Sequence, residues 1–172
     1  MNNAGKRECG RAALGPIAAR LSPEAARPLP DRIMDRLGEL EHGYLPRVAD
    51  QVIPHLAPDV LSAWEEDLAR RSADRHAEEA PQRATGRWFY SMTDQWRQIR
   101  QSIARARGDL DHLIALEGEK SERGQDTLGL AETLRDAGRL EEALDWVRKG
   151  GPRAHATLLD FLDDEDEDDS PA

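Results

Sequence analysis

The sequence predicts an all-α protein built from antiparallel helical hairpins, and three observations predict this class. The 172 residues include 24 alanines but only 5% aromatic residues, and Ala is the best helix former. Apolar residues recur at helical spacings along most of the chain. The connections between these segments are short and contain Gly or Pro, as is typical of helices that pack against their neighbours in sequence. A large β-sheet is therefore not expected.

Composition also narrows the class of protein. Charged residues make up 34% of the chain and the mean hydropathy is −0.75. No apolar run approaches the ~18 residues that a membrane-spanning helix needs, so we expect no membrane partner. The apolar run from Ala12 to Ala19 is broken by Gly15 and Pro16 and gives no convincing targeting signal, so we expect a cytoplasmic protein. The single cysteine, Cys9, excludes an internal disulfide framework and a zinc site built from several thiolates.

Charge and proline content divide the chain into three predicted parts. Residues 1–29 are basic and rich in proline, which predicts a flexible leader. Residues 30–162 form the predicted α-helical repeat domain. Residues 163–172 begin with seven consecutive acidic residues, Asp163 to Asp169, and such a block is typical of a solvated, disordered tail. The alternative interpretation of this tail is an acidic arm that competes for a basic surface.

Proline and aspartate predict the limits of the first helices. Asp31 is placed to cap the first helix of the domain, and Pro46 is placed in the first turn of the second. Pro54 falls within the apolar pattern of the second helix and is expected to end or kink it. Asp59 is predicted to cap a long third helix, whose apolar stripe fades so that the helix ends before Pro81.

The most periodic segment is predicted to be a helix of about five turns that ends at Gly108. Its apolar residues recur at spacings of 4, 4, 3, 4 and 3, and they are Trp88, Met92, Trp96, Ile99, Ile103 and Ala106. Beyond it, Asp109 and Asp126 are placed to begin further helices, and Gly138 is placed to end one. After a last helix broken at Gly150–Pro152, a short amphipathic stretch includes Leu158, Leu159, Phe161 and Leu162.

An internal repeat links two of these segments. Residues 105–113 align with residues 135–143 at an offset of 30, and in both copies a glycine is followed by a polar residue and a leucine. The second copy resembles a tetratricopeptide-type repeat, with matching residues at Leu130, Ala131, Leu134, Gly138, Ala143 and Val147. Within residues 30–150, the order of Trp96-Arg97, residues 107–113, residues 130–134 and residues 137–146 resembles that of an uncharacterised bacterial family of α-helical, tetratricopeptide-like repeat proteins. This resemblance implies hairpins stacked in a short solenoid, and it supplies no catalytic residue or ligand.

The sequence shows no catalytic constellation, so we predict no catalytic residues, no cofactor and no metal ligands. The five histidines are scattered, and no phosphate-binding glycine loop or nucleophile elbow is present. His76 and Glu79 stand at i and i+3, a spacing that dimetal helices use. A small helical-bundle enzyme or metal protein that uses this pair is the alternative function, but an enzyme is not the favoured interpretation.

The arginines of residues 83–107 and the four tryptophans are further candidates for binding residues. Residues 83–107 contain six arginines and a single acid, Asp94, and this basic helix is interpreted as contacting phosphate, contacting an acidic surface, or facing solvent. A sequence pI of about 5 argues against nucleic acid as a partner, so an acidic neighbour is preferred over phosphate. The four tryptophans, Trp64, Trp88, Trp96 and Trp146, lie on or beside apolar stripes and are predicted to be core residues.

The favoured hypothesis is a non-catalytic interaction or scaffold module that binds a protein or peptide in a groove lined by the first helix of each hairpin. The repeat alignment places eight residues in this candidate groove: Gln95, Gln98, Ser102, Arg105, Gln125, Leu128, Glu132 and Arg135. With two recognisable repeats, where about three usually make a stable stack, we expect self-association or packing against the helices of residues 31–79 to complete the core. A regulator that acts through its acidic tail is a further hypothesis.

Overall fold

The computed structural model describes residues 14–37, 44–85 and 91–151, and within these ranges all regular structure is helical, with no strand. The predicted all-α class is therefore confirmed. The α-helices described are α1 (Leu14–Ala18), α2 (Pro23–Ala26), α3 (Leu29–Leu37), α4 (Tyr44–Val52), α5 (Pro58–Ala84), α6 (Met92–Arg107), α7 (Leu110–Gly118), α8 (Thr127–Asp136) and α9 (Leu140–Gly150). Two short 3-10 helices, Ile53–His55 and Glu122–Gly124, join them. None of these helices is both long and apolar enough to cross a bilayer.

The chain forms two compact units, Met1–Leu116 and Glu117–Ala172. Helices α1 to α6 belong to the first unit and α8 and α9 belong to the second, with the division near the end of α7. Within the predicted leader, α1 and α2 are helical, and their residues Ala18 and Ala26 are buried. The predicted acidic tail lies outside the described residues.

The core of the first unit is built around α4 and α6. Helices α1 and α3 pack against α4, and both α4 and α5 pack against α6. The predicted stripe of α6 faces this core, where Ile99 and Ile103 are almost completely buried. Pro54 acts as predicted, because α4 ends at Val52 and a 3-10 helix follows.

The junction between α5 and α6 differs from the prediction. Helix α5 does not end before Pro81 but continues to Ala84, and α6 begins at Met92 with Ser91 as its N-cap. The region interpreted as one basic helix over residues 83–107 therefore contains the last residues of α5 and the whole of a separate helix, α6. Pro81 is tolerated because it lies in the last turns of α5 on an exposed surface. Proline has no N–H to donate to the carbonyl group one turn earlier, and at the surface water replaces this donor.

The second unit contains a helical hairpin. Helices α8 and α9 pack against each other and are joined by a three-residue turn, a length that places two helices antiparallel. Asp126 caps α8 as predicted, since its carboxylate accepts a hydrogen bond of 3.0 Å from the Gly129 N–H. Small and branched apolar side chains fill the contact, and the buried ones are Leu130, Ala131, Leu134, Ala143 and Val147.

The two glycines aligned by the internal repeat adopt the same backbone conformation. Gly108 follows α6 with a φ of 67°, and Gly138 follows α8 with a φ of 78°. In each turn, the residue after the glycine donates its N–H to the carbonyl five positions earlier, at 2.9 Å for both Asp109 and Arg139. This is the Schellman helix ending, which requires a left-handed residue and so favours glycine.

Candidate functional site

A groove between α8 and α9 is the candidate functional site of the second unit. It encloses a cavity of about 210 Å³ with an almost wholly apolar floor. Its two leucines, Leu140 and Leu144, are 58% and 46% exposed and lie one turn apart on α9, so they form a contiguous apolar surface. The lining residues are Ala131, Glu132, Arg135, Leu140, Ala143, Leu144 and Val147. We refer to this feature as the α8–α9 groove.

The exposure of the two leucines follows from the register of α9. Ala143 and Val147 lie four residues apart and are buried where α9 packs on α8. Leu140 and Leu144 form the neighbouring row at the same spacing, which α8 covers only in part. The apolar surface of α9 is therefore wider than the surface that one packed helix buries.

Charged side chains of both signs border the groove. Glu132 and Arg135 lie three residues apart on α8, so they project from the same side of that helix. Arg135 also forms an ion pair of 2.9 Å with Asp136. An apolar floor between two opposite charges fits the apolar face of an amphipathic helix. The cavity is smaller than the ~300–1,000 Å³ of most small-molecule pockets, which favours side chains over a free ligand.

The structure brings Glu132 and Arg135 together in this groove, whereas the other predicted groove residues lie elsewhere. Gln125 donates a hydrogen bond of 3.1 Å to the backbone carbonyl of Lys120, and Leu128 is half-buried in α8. Neither of these two residues lines the α8–α9 cavity.

The four predicted groove residues of the first repeat copy lie on α6, in the first unit. Gln95 is buried, with its Nε2 3.0 Å from the sulfur of Met92. Ser102 donates a hydrogen bond of 3.1 Å to the carbonyl of Gln98, and both Gln98 and Arg105 lie toward the exposed side of the helix. A groove shared by both repeat copies stays a prediction, because its two halves belong to different units.

A charged cluster joins three helices of the first unit. The Oε1 atom of Glu65 on α5 lies 2.8 Å from Nε of Arg100 on α6 and 2.7 Å from Nε2 of His112 on α7. The side chains of Glu65 and Arg100 are only 12% and 13% exposed, so water screens their attraction weakly. This contact agrees with the interpretation that basic residues of α6 meet an acidic neighbouring helix. No sequence signal pointed to it, because the partners are 35 and 47 positions apart.

The remaining arginines of α6 divide by exposure. Arg97 forms an ion pair of 2.7 Å with Asp94 of the same helix, whereas Arg105 and Arg107 are exposed. Arg107 lines a second cavity, of about 370 Å³, whose other lining residues are Ile53, Pro54, Leu56, Pro58, Leu61 and Ala106. Arg87 lies outside the described residues. The described arginines thus present no continuous basic face of the kind that tracks a phosphate backbone.

The carboxylate of Glu79 binds the start of α6. It is buried, and it accepts hydrogen bonds from the Ser91 hydroxyl at 2.8 Å, the Met92 N–H at 2.9 Å and the Thr93 hydroxyl at 2.5 Å. His76, its partner in the metal hypothesis, is exposed. In the part of the chain that the structure describes, no three His, Cys, Asp or Glu side chains are grouped in a way that could hold a metal ion.

Glu117 has the same role in the second unit. It is 2% exposed and accepts hydrogen bonds from Lys120 Nζ at 2.8 Å and from the Asp126 N–H at 2.5 Å. A carboxylate at the end of α7 therefore organises the loop that leads into α8. Sequence reasoning missed both buried glutamates, since a glutamate in a charged helix carries no local sign of burial.

The tryptophans are distributed between the core and the surface. Trp64 and Trp96 are buried in the first unit, which confirms the core interpretation for these two. Trp146 is half-buried in α9, and Lys149 Nζ lies 4.3 Å from its ring centre, a cation–π distance. Trp88 lies outside the described residues.

Comparison with known proteins identifies a family to which no activity is assigned. No curated protein and no solved structure matches this sequence. Residues 8–168 match a family described as a family of unknown function, DUF6880. The match agrees with the resemblance to an uncharacterised family, and it assigns no catalytic or binding residue. Because it covers almost the whole sequence, this chain belongs to the DUF6880 family.

Proposed function

We propose that this protein is a non-catalytic interaction module of the cytoplasm, and that its α8–α9 groove binds an amphipathic helix of a partner protein. One observation carries the proposal: Leu140 and Leu144 stand exposed over an apolar cavity in a strongly charged chain. Contiguous exposed apolar surface of this kind is typical of sites that bind other proteins.

Burial of the two leucines supplies part of the energy for specific binding. Complete burial of a leucine side chain contributes roughly 1.5–3 kcal/mol, and about half of each side chain is still exposed. Covering both leucines therefore contributes about 2 kcal/mol. This corresponds to a roughly 30-fold change in affinity, enough for the pair to act as anchor residues.

A tetratricopeptide-like architecture is the finer part of the proposal. The α8–α9 hairpin has Ala131 and Ala143 where its helices cross, and Gly138 ends α8 in the conformation that Gly108 adopts after α6. Small residues at a crossing and a left-handed glycine between helices are features of such repeats. A partner helix in the groove would occupy the place of a further helix of the stack.

The test is recovery of a stoichiometric partner from the native cell with three forms of the full chain. The first is the unmodified protein, the second carries Leu140→Asp and Leu144→Asp, and the third carries Glu141→Gln. Glu141 is the matched control because it is exposed on the same helix but does not line the groove. Circular dichroism checks that all three forms are equally helical.

We expect one protein to be recovered with the unmodified chain and with Glu141→Gln, and to be lost with the leucine variant. The affinity of that protein for the leucine variant is expected to fall by roughly 30-fold or more. Identical protein sets from all three forms would refute the proposal. Loss of the partner with Arg105→Glu, but not with the leucine variant, would instead assign binding to the exposed face of α6.

A further inference from the structure

We propose that the cavity lined by Arg107 binds a small amphipathic monocarboxylate, whose carboxylate pairs with Arg107 and whose apolar body fills the cavity. The cavity lies between the 3-10 helix Ile53–His55, the start of α5 and the end of α6, all of which belong to the first unit. We refer to it as the Arg107 cavity. None of its described lining residues belongs to the α8–α9 groove, so the inference goes beyond the proposed function and does not rest on it.

The size of the Arg107 cavity suits a small molecule. Its volume of about 370 Å³ falls within the ~300–1,000 Å³ typical of small-molecule pockets, whereas the cavity of the α8–α9 groove falls below that range. At the packing densities of organic liquids and crystals, this volume accommodates roughly 10–14 non-hydrogen atoms. A medium-chain or aromatic acid has this size, whereas a nucleotide is too large.

Two prolines shape one wall of the cavity. Pro54 lies in the 3-10 helix that follows α4, and Pro58 begins α5. Because the proline ring fixes φ, the backbone between these two residues has little freedom. Ile53, Leu56 and Leu61 of the same wall are buried in the core of the first unit. This wall is therefore ordered before a ligand binds, which lowers the entropic cost of binding.

The end of α6 forms the opposite wall and combines a small side chain with a charged one. Ala106 and Arg107 are both exposed in the last turn of α6, and both line the cavity. Because the methyl group of Ala106 is small, it leaves space that a larger side chain would occupy. Among the described lining residues, Arg107 alone is charged and the other six are apolar.

The guanidinium group of Arg107 is available to a ligand. Within the residues that the structure describes, this group forms no ion pair and donates no hydrogen bond. The carboxylates that flank the lining residues in sequence have other partners. Asp59 pairs with Arg27 at 2.8 Å, and Asp109 accepts a hydrogen bond of 3.1 Å from the N–H of His112. The positive charge of Arg107 is therefore not matched by either of these carboxylates.

A single guanidinium group beside an apolar lining selects the class of ligand. Its planar set of N–H donors matches a carboxylate through two parallel hydrogen bonds. A phosphate dianion would keep one of its two charges unpaired, and a cation would be repelled. The end of α6 repels an anion only weakly, because the carbonyl group of Ala104 accepts the N–H groups of Gly108 and Asp109.

The test is titration of the full chain with octanoate, octan-1-ol and octylammonium, which share an apolar chain and differ in charge. NMR spectra of the backbone amides locate the binding site, and the amides of Leu61 and Ala106 report on the cavity. Arg107→Gln removes the positive charge. Arg105→Gln is the matched control, because Arg105 is exposed in the same turn of α6 but does not line the cavity. Ala106→Phe fills the cavity.

We expect octanoate to bind saturably with a Kd of roughly 0.1–1 mM and to shift the amides of Leu61 and Ala106. Octan-1-ol is expected to bind about 5-fold more weakly, and octylammonium more weakly still. Arg107→Gln is expected to lower the affinity for octanoate about 5-fold, to that of octan-1-ol, while Arg105→Gln leaves it unchanged. Ala106→Phe is expected to abolish binding of both compounds.

Equal affinities for octanoate and octylammonium would overturn the inference, as would equal losses of octanoate affinity in Arg107→Gln and Arg105→Gln. Amide shifts confined to Leu140 and Leu144 would assign the compound to the α8–α9 groove and would also overturn it. If circular dichroism shows that Ala106→Phe loses helicity, the comparison of the two arginine variants decides the question. The titration needs no protein partner, so failure of the inference leaves the partner-recovery test of the proposed function intact.

Discussion

Glu79 offers the sharpest test of how the first unit is held together. Its carboxylate lies on α5 and accepts hydrogen bonds from four groups at the start of α6, including the N–H groups of Met92 and Thr93. A buried carboxylate at a helix N-terminus satisfies donors that lack a partner within the helix, and it interacts favourably with the helix dipole. Glu79→Ala removes all of these interactions at once.

The expected cost follows from this geometry. Hydrogen bonds to charged groups contribute roughly 1.5–3 kcal/mol each, but the two hydroxyl donors are able to rotate toward other acceptors. The backbone N–H groups of Met92 and Thr93 have no such freedom, and the loss of favourable dipole interaction adds up to ~1 kcal/mol. We therefore expect Glu79→Ala to lower the free energy of unfolding by about 3 kcal/mol, and Glu79→Gln by about half as much.

Urea unfolding followed by circular dichroism measures this change. A loss of about 3 kcal/mol corresponds to a fall in Tm of roughly 6–12 °C for a chain of this size. Glu78→Ala is the matched control, because Glu78 precedes Glu79 but is exposed and pairs only at the surface with Arg75. We expect the control to change stability by less than ~1 kcal/mol.

Hydrogen exchange separates loss of the cap from general destabilisation. The Met92 amide is expected to exchange at least ~10-fold faster in Glu79→Ala, with a smaller change at Ile103 near the middle of the packed face. A stability loss equal to that of Glu78→Ala, with unchanged exchange at Met92, would refute the role of Glu79 as an acceptor that holds the start of α6.

Three further predictions concern other parts of the chain. Gly138→Ala should destabilise the second unit by about 1 kcal/mol, because φ is positive at this residue. Gly118→Ala should not destabilise the unit, because a Cβ atom at Gly118 meets no other atom within 4 Å. Thermal unfolding compares the two variants. Glu65→Gln should cost about 2 kcal/mol in urea unfolding, since it leaves Arg100 and His112 without a charged acceptor. The pKa of Glu24 is held below 4.5, mainly by a hydrogen bond from the backbone N–H of Glu24 and secondly by one from the Ser22 hydroxyl. Ser22→Ala should therefore raise this pKa in an NMR titration.

Each of these predictions has a contrary outcome. Equal unfolding temperatures for Gly138→Ala and Gly118→Ala would mean that the turn relaxes without strain. A cost for Glu65→Gln no larger than that of Glu66→Gln, an exposed neighbour, would mean that the cluster contributes nothing to stability. A lowered carboxylate pKa stabilises the fold above the unfolded-state pKa, so the contribution of Glu24 is present above pH ~4.5 and is lost as the pH falls below that value. An unchanged titration in Ser22→Ala would exclude its hydroxyl as a cause.

Local patterns predicted much of the helical architecture. The apolar spacing of α6 identified the buried face that holds Ile99 and Ile103, because a helix places residues three and four apart on one side. Gly108 and Gly138 ended helices as expected, since their left-handed backbone is costly for other residues. Pro54 ended α4 for an equally local reason, the missing N–H of proline.

Part of the candidate site could also be predicted from the sequence alone. The repeat alignment identified Glu132 and Arg135, which line the α8–α9 groove. It did not identify Leu140 and Leu144, because the pattern of apolar residues along a helix does not show which row of side chains a neighbouring helix will bury. Only the packing of α8 on α9 decided that one row is buried and the next is exposed.

Contacts between distant residues were decided by tertiary structure alone. Glu79 and Glu117 look like ordinary surface glutamates in the sequence, yet each is buried and holds the start of a later helix. Glu65 meets His112 across 47 positions, and Pro81 remains within a helix whose surface is exposed near its end. Local rules act over one or two turns, so they specify helices and their ends. The burial of a charge depends on which donors folding brings to it from elsewhere in the chain.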